Sequence, residues 1–415
     1  MFTDPQVRRV VLARFVSRVG GEAAFFVGIW GKAAFVLDAT ASQLAVVMAA
    51  LGVASLIGTS VAGVLIDRFD PRRVVMVGEA VFIPVALAMV VADTIPTLAV
   101  ATFFFGLIGG PIHTAVASFA PFLTDDESKL AKMNGAIEGG GWLAFIVGPA
   151  VGAVIAASVG VDWIFALNAL TAAIAALLVS RVTLRILPER EGTHGGMEEF
   201  KQGLRFSYGN PRVRFYILLG STVFLLFGFF SSLEPLFFRD VVGVEIEVLG
   251  WVNSLFGIGM VTGARIAAGL PERLRSARTL TILVAANAIG VVAYVGTGRL
   301  PIVATAGALW GLVIGTMVPL HRTLLQINAP ETMVGRVMGV NQMHSEGGHL
   351  IPLTFAPALA AVFGVQNTLI SSGLVVLVSA ALFWPVARRL DATRLVEVPV
   401  PVIPDPEAGP LAHGH

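Results

Sequence analysis

The chain contains no cysteine and carries little charge. Without cysteine there is no disulfide framework and no thiolate metal site. Asp, Glu, Lys and Arg make up 13% of its 415 residues, against about 25% in ordinary soluble domains. It has no His-Glu-x-x-His pair and no Gly-x-x-x-x-Gly-Lys-Ser/Thr nucleotide loop. The nearest approach, Gly28-x-x-Gly31-Lys32-Ala33, has the wrong spacing and falls inside an apolar run. Direct ATP drive is therefore excluded, no catalytic triad is visible, and the chain is not expected to be an enzyme. No metal and no cofactor are expected beyond a proton gradient. Basic residues sit at the ends of apolar runs rather than on one face, so no nucleic-acid partner is expected. No small-x-small cleavage site follows the first apolar run, which reads as a retained span rather than a signal peptide.

What is present is hydrocarbon. Hydrophobic residues are 56% of the chain, spread in runs of about 20 residues, the length that crosses a bilayer as a helix. Backbone groups in lipid must bond within their own segment, so these runs are helices. Twelve spans fit, near 12–37, 42–66, 74–92, 97–121, 131–157, 162–180, 214–236, 247–268, 279–297, 302–326, 334–362 and 367–387. The connections on one side hold most of the arginines and lysines, among them Arg8, Arg72, Lys129, Arg185, Arg275 and Arg388, while the other side holds Arg239 and Arg299. The arginine-rich side is the cytoplasm, and both termini lie there.

These runs imply an all-α membrane protein of two pseudo-symmetric six-helix bundles. Residues 1–180 form the first bundle and 214–390 the second. Residues 181–213 are a cytoplasmic linker in which Met197 to Ser207 reads as an amphipathic surface helix. Residues 391–415, rich in Pro, Val and acids, are expected to be a disordered tail.

One glycine-rich stretch recurs. Glu138-Gly139-Gly140 returns as Glu346-Gly347-Gly348, and Pro149 returns as Pro357 at the same spacing. An acid inside an apolar run costs about 3 kcal/mol on insertion scales. Finding it in both halves points to a duplicated unit with its chemistry at the seam. A carboxyl that is buried at one stage and wetted at another takes up and releases a proton. Glu138, Glu346, His349 and Glu22 are the proton-coupling candidates. Gln342, Ser345, Glu346 and His349 share one helix face, a stripe that reads either as proton-handling or as a structural network. His344 lies about 140° around from His349, so the two histidines do not form a metal site. Arg18 and Glu22, four apart, read as a self-neutralising pair or as part of the coupling. Glu79 and Glu234 read as lying nearer membrane edges, and His113 as a satisfied core histidine. Pro149 weakens its helix, and Gly148 and Gly152 permit close approach of a neighbour. Together these three are hinge candidates. Substrate-cavity candidates are Phe26, Trp30, Trp142, Phe145 and Gln342, with Phe25, Phe227 and Trp310 as further aromatics.

The loop Gly63-Val-Leu-Ile-Asp67-Arg68-Phe-Asp70-Pro-Arg72-Arg73 resembles the Gly-x-x-x-Asp-Arg-x-Gly-Arg-Arg signature of the major facilitator superfamily. A degraded copy, Gly269-Leu-Pro-Glu272-Arg273-Leu-Arg275, follows the eighth span. Gly148-Pro149-Ala-Val-Gly152-Ala153 is similar to the Gly-Pro-x-x-Gly-Gly element of that superfamily's antiporters. Gly203-Leu-Arg-Phe and Pro330-Glu-Thr-Met-Val-Gly335-Arg336 resemble its macrolide-efflux and tetracycline/aminoglycoside-efflux branch. The resemblance implies a monomeric drug:proton antiporter of a bacterial plasma membrane. Its partners would be protons, the lipid bilayer and hydrophobic or amphiphilic small molecules, and its activity would confer antibiotic resistance by alternating access. A dedicated exporter of a lipid, siderophore or metabolite, a proton symporter, and a membrane-embedded enzyme or scaffold are the alternatives. Asp67 ends a span where the eleventh begins. A carboxylate docked at that helix start makes Asp67, with Gly63, Arg68, Arg72 and Arg73, the expected cytoplasmic latch.

Overall fold

The computed structural model describes residues 5–124, 126–184 and 196–392. The tail beyond 392 and part of the linker lie outside the described residues, as do the side chains of Asp67 and of six further residues within helices (positions 127, 128, 131, 196, 197 and 199). The first half holds α1 (Pro5–Ala23), α2 (Ala41–Phe69), α3 (Pro71–Val90), α4 (Ile95–Ala117), α5 (Glu127–Val159) and α6 (Asp162–Ser180). After α7 (Gly196–Gly209) come α8 (Pro211–Leu236), α9 (Ile246–Ala268), α10 (Ala277–Val295), α11 (Leu300–Ile327), α12 (Val334–Leu353), α13 (Ala356–Phe363) and α14 (Val365–Ala392).

Ten of these helices are long and apolar enough to cross a bilayer by length and composition. Two more crossings complete the set and explain why they fall short. α1 carries Arg8, Arg9, Arg14, Arg18 and Glu22. It continues outward through π-helical stretches, Ala24–Ile29 and Lys32–Val36. The eleventh span, expected as one helix, is two. Pro352 and Pro357 flank the break between α12 and α13, and each proline removes a backbone donor. Pro149, the counterpart of Pro357, stays inside a continuous α5.

Helix starts follow local chemistry. Thr40 with Gln43 and Thr94 with Thr97 bond reciprocally at the starts of α2 and α4. Asn210 caps α8 ahead of Pro211 at its first position. Asp70 caps α3 by accepting from the Arg73 amide at 2.9 Å. It does so at φ +63°, a region that favours glycine, at the place where the superfamily signature has glycine.

The duplication shows in matching ties. Arg9 of α1 donates to the Arg181 carbonyl beyond α6 at 2.7 Å, and Arg212 of α8 donates to the Leu390 carbonyl of α14 at 2.7 Å. In each half the first helix is thereby fastened to the last. The first helix of each half also turns π-helical at its outer end, α8 through Phe237–Val242. Lys32, 1% exposed, donates to the carbonyls of Met89 (3.0 Å) and Val90 (2.8 Å) and to Asp162 (2.7 Å), which ties α1 to the ends of α3 and α6. A buried ammonium is tolerated here because its donors meet helix-end acceptors.

The two halves meet away from the termini. A Cβ on Gly250 of α9 would lie 2.5 Å from the Pro149 carbonyl of α5, and one on Gly31 would collide with Ile246. Arg239 reaches across to the α1–α2 connection. On the termini side, among the described residues, no hydrogen bond and no close glycine contact joins the two halves. The molecule is closed at one face and open at the other.

Candidate functional site

A two-lobed chamber runs from the interior of the first half to the seam between the halves. Its first lobe, about 350 Å3, lies within the first half, bounded by α1 to α6 and lined by Ser17, Arg18, Glu22, Glu79, His113 and Asn168. Four-residue steps put Arg14, Arg18 and Glu22 on one face of α1. Arg18 Nε meets Glu22 Oε1 at 2.5 Å. Arg14 and Arg18 each place Nη1 3.0 Å from His113 Nδ1. Arginine only donates, so His113 accepts at Nδ1 and is a neutral ring with its proton on Nε2. Glu79 is 1% exposed, and its Oε1 has no partner among the described residues. His113 is thus satisfied, as expected, but by two arginines of a charged cluster, and Glu79 is buried midway along α3 rather than at an edge.

The second lobe, about 310 Å3, is aromatic. Phe25, Phe26 and Phe145 line both lobes. Trp30, Phe227 and Trp310 join them in the second, with Ser231, Glu234, Tyr294 and His349 as its polar groups. Phe26 packs edge-on against Phe145 (5.4 Å) and Trp30 (5.3 Å). Glu234 is 5% exposed and accepts the Tyr294 hydroxyl at 2.6 Å, so it is buried within the protein close to the ends of α8 and α10.

The remaining sequence candidates are distributed as follows. Glu138 is exposed on the open side, without a hydrogen-bond partner among the described residues. It stands within electrostatic reach of Arg14. Glu346, half-buried, accepts from Gln342 Nε2 at 2.7 Å. His349 bonds Ser231 Oγ at 2.7 Å instead of Glu346. Trp142 lies outside both lobes and is partly exposed. Gly148 and Gly152 are packing positions against α1, where a Cβ on Gly148 would lie 2.6 Å from Glu22 Cβ. The Asp67 latch falls on a side chain outside the described residues. Arg72 braces α3 to α6 by donating to the Ser180 carbonyl at 2.6 Å. Arg73 pairs with Asp70 (3.5 Å), and Arg68 lies over the Phe69 ring. Tyr294, Asn253, Phe256 and Met260 line the aromatic lobe and carried no signal of their own in the sequence.

Two helical halves around a central chamber open at one face define a secondary transporter. The family model of the Major Facilitator Superfamily matches residues 10–352, and the chain belongs to that superfamily. It is 26% identical over 380 residues to the multidrug efflux pump Tap of Mycobacterium tuberculosis, covering 88% of this chain and 90% of that one. The Tap of Mycolicibacterium fortuitum is 28% identical over 364 residues, covering 81% and 85%. The enterobactin exporter EntS of Escherichia coli is 26% identical over 409 residues, covering 94% of each. Among solved structures, the nucleoside transporter NupG superposes with a TM-score of 0.76 at 10% identity, covering 91% of this chain and 100% of that one. A D-xylose–proton symporter gives 0.72 at 14% identity, covering 92% and 98%. These two likenesses concern the fold.

Proposed function

We propose that this transporter exports hydrophobic or amphiphilic small molecules from the cytoplasm in exchange for protons, as a monomer in a bacterial cytoplasmic membrane. The observation that carries the reading is the chamber itself, in which an aromatic lobe adjoins a lobe of buried ionisable groups across a shared wall of Phe25, Phe26 and Phe145. Apolar walls take the drug-like body, and carboxyls that change sides trade protons. The multidrug relatives support a drug substrate. The arginine-rich termini side is the open one, so the conformation faces the cytoplasm.

In this cycle Glu22 and Glu79 hold the proton deep in the first lobe, with Arg18, itself bonded to His113, stabilising Glu22 once it is ionised. Glu138 and Glu346 stand nearer the open mouth, on the path between the lobe and water. Alternating access requires the outer seal at Gly31, Gly250 and Arg239 to part while the termini side closes. The test is drug accumulation in inverted vesicles under an imposed pH gradient. Export should stop when the gradient is collapsed and fall at least tenfold in Glu22→Gln or Glu79→Gln. Full rates in both variants would remove the proton role from this cluster.

A further inference from the structure

A second hollow of the first half faces lipid, away from the chamber. It lies between α2 and α3 with α4 as its floor, and at about 580 Å3 it is larger than either lobe. α4 fits closely against both neighbours. A Cβ on Gly58 of α2 would collide with the Leu107 carbonyl, and one on Gly78 of α3 would lie 2.6 Å from Ile112. With α4 locked to each, α2 and α3 are parted over Leu107 and Pro111, and the gap between them is the groove. Val77 on its wall is 61% exposed.

Length and charge say what fills it. Phe69 and Arg73 lie at one end and Val61 and Val81 at the other, eight positions away along α2 and α3 respectively. At 1.5 Å per residue that is about 12 Å, close to the roughly 15 Å of hydrocarbon in one leaflet. The groove therefore runs from headgroup level on the arginine-rich side to near the bilayer centre, which is the track of one acyl chain. Its walls are apolar except at the mouth, where Arg73 lines it and Arg68 lies over the Phe69 ring. Both guanidiniums can reach a further anion. The Arg73 side chain is 73% exposed and stands 3.5 Å from Asp70, and Arg68 is exposed. The Asp70 carboxylate is turned to the start of α3, where it accepts from the Arg73 amide. Over residues 67–73 three arginines stand against two aspartates, so the mouth is net positive. Guanidinium forks match phosphate oxygens.

We propose that this groove is a binding site for an anionic glycerophospholipid of the cytoplasmic leaflet, with one acyl chain between α2 and α3 and the phosphate on Arg73 and Arg68.

The purified full chain in phosphatidylcholine nanodiscs tests it, since neither transport direction nor proton coupling enters the outcome. Because the chain has no cysteine, Val77→Cys carries a single fluorophore in the groove wall. Leu382→Cys carries one on α14, at an exposed apolar site outside the groove. The quenchers are phosphatidylglycerol and phosphatidylcholine, each with a nitroxide on one chain. An arginine at an anionic lipid surface gives about fivefold enrichment. Half-quenching at Val77 should need at least about fivefold less of the phosphatidylglycerol, while at Leu382 the two lipids should agree within about twofold. Arg68→Gln/Arg73→Gln should bring the Val77 probe to the same parity. Ile108→Trp fills the floor and leaves both arginines, and it should cut the preference at least about threefold, with the melting temperature read alongside. Equal quenching by the two lipids at Val77, an equal preference at Leu382, or a preference unmoved in either variant overturns the proposal.

Discussion

Arg239 of the second half donates Nη1 to Asp38 of the first at 2.7 Å and, from the same nitrogen, to the Ala34 carbonyl at 2.6 Å. The Asp38 side chain is 90% exposed, and an ion pair that wet contributes about 0–1 kcal/mol. A charge-assisted bond to a carbonyl contributes about 1.5–3 kcal/mol. The carbonyl is therefore the main hold. Arg239→Ala should favour opening of the closed face, raising labelling of Asn253→Cys by an impermeant thiol reagent from that side about tenfold. Asp38→Asn should raise it less than about threefold.

Where α5 crosses α9 there is no room for a methyl group. Gly250→Ala would press a Cβ to 2.5 Å from the Pro149 carbonyl and 2.8 Å from Val27. That variant should lose about 1–3 kcal/mol of stability and most of its transport. Gly139→Ala, which meets nothing within 4 Å, should keep the native melting temperature. Thermal unfolding in detergent compares the two.

At Asp70 two demands compete. Its backbone sits at φ +63°, ψ 153° while its carboxylate caps α3. Asp70→Gly relieves the backbone and loses the cap, so the two effects, each about 1 kcal/mol, offset. Asp70→Val loses the cap and keeps the strain, and should unfold at the lower temperature of the two.

Arg18 and Glu22 form a half-buried pair, with side chains 29% and 9% exposed. Removing one partner strands the other. Glu22→Leu should cost about 1–3 kcal/mol, at the low end of buried pairs because Arg18 is partly wet. The double variant Arg18→Leu/Glu22→Leu should recover most of that stability and none of the proton-driven flux. Recovery of flux along with stability would make the pair structural.

The fold was legible because its signals are redundant. Hydrophobic runs, arginine placement and the Asp67-Arg68 loop all point to one architecture, and the crossings came out near the expected positions. The break of the eleventh span was marked by Pro352 and Pro357, but its physical twin Pro149 is absorbed within α5, so proline alone does not decide. The site was read less well, because a linear repeat is not a spatial one. Glu138 and Glu346 recur in register, yet one is exposed and the other is half-buried on Gln342. The acids in the two lobes are Glu22, Glu79 and Glu234, and Glu22 and Glu234 each stand shortly before the helix turns π-helical. No sequence spacing marks that widening. Tyr294 carried no signal in the sequence, because only α8 folded beside α10 shows that its buried hydroxyl, which needs a partner, finds Glu234.

The paired ties of Arg9 and Arg212 have a mechanical consequence. Each clasps its own barrel shut, from first stave to last, so neither half need deform when the pore changes sides. Strain concentrates in the joint, at a glycine crossing and an arginine clasp, and the energy difference between the two orientations is set by the few side chains that bridge the gap.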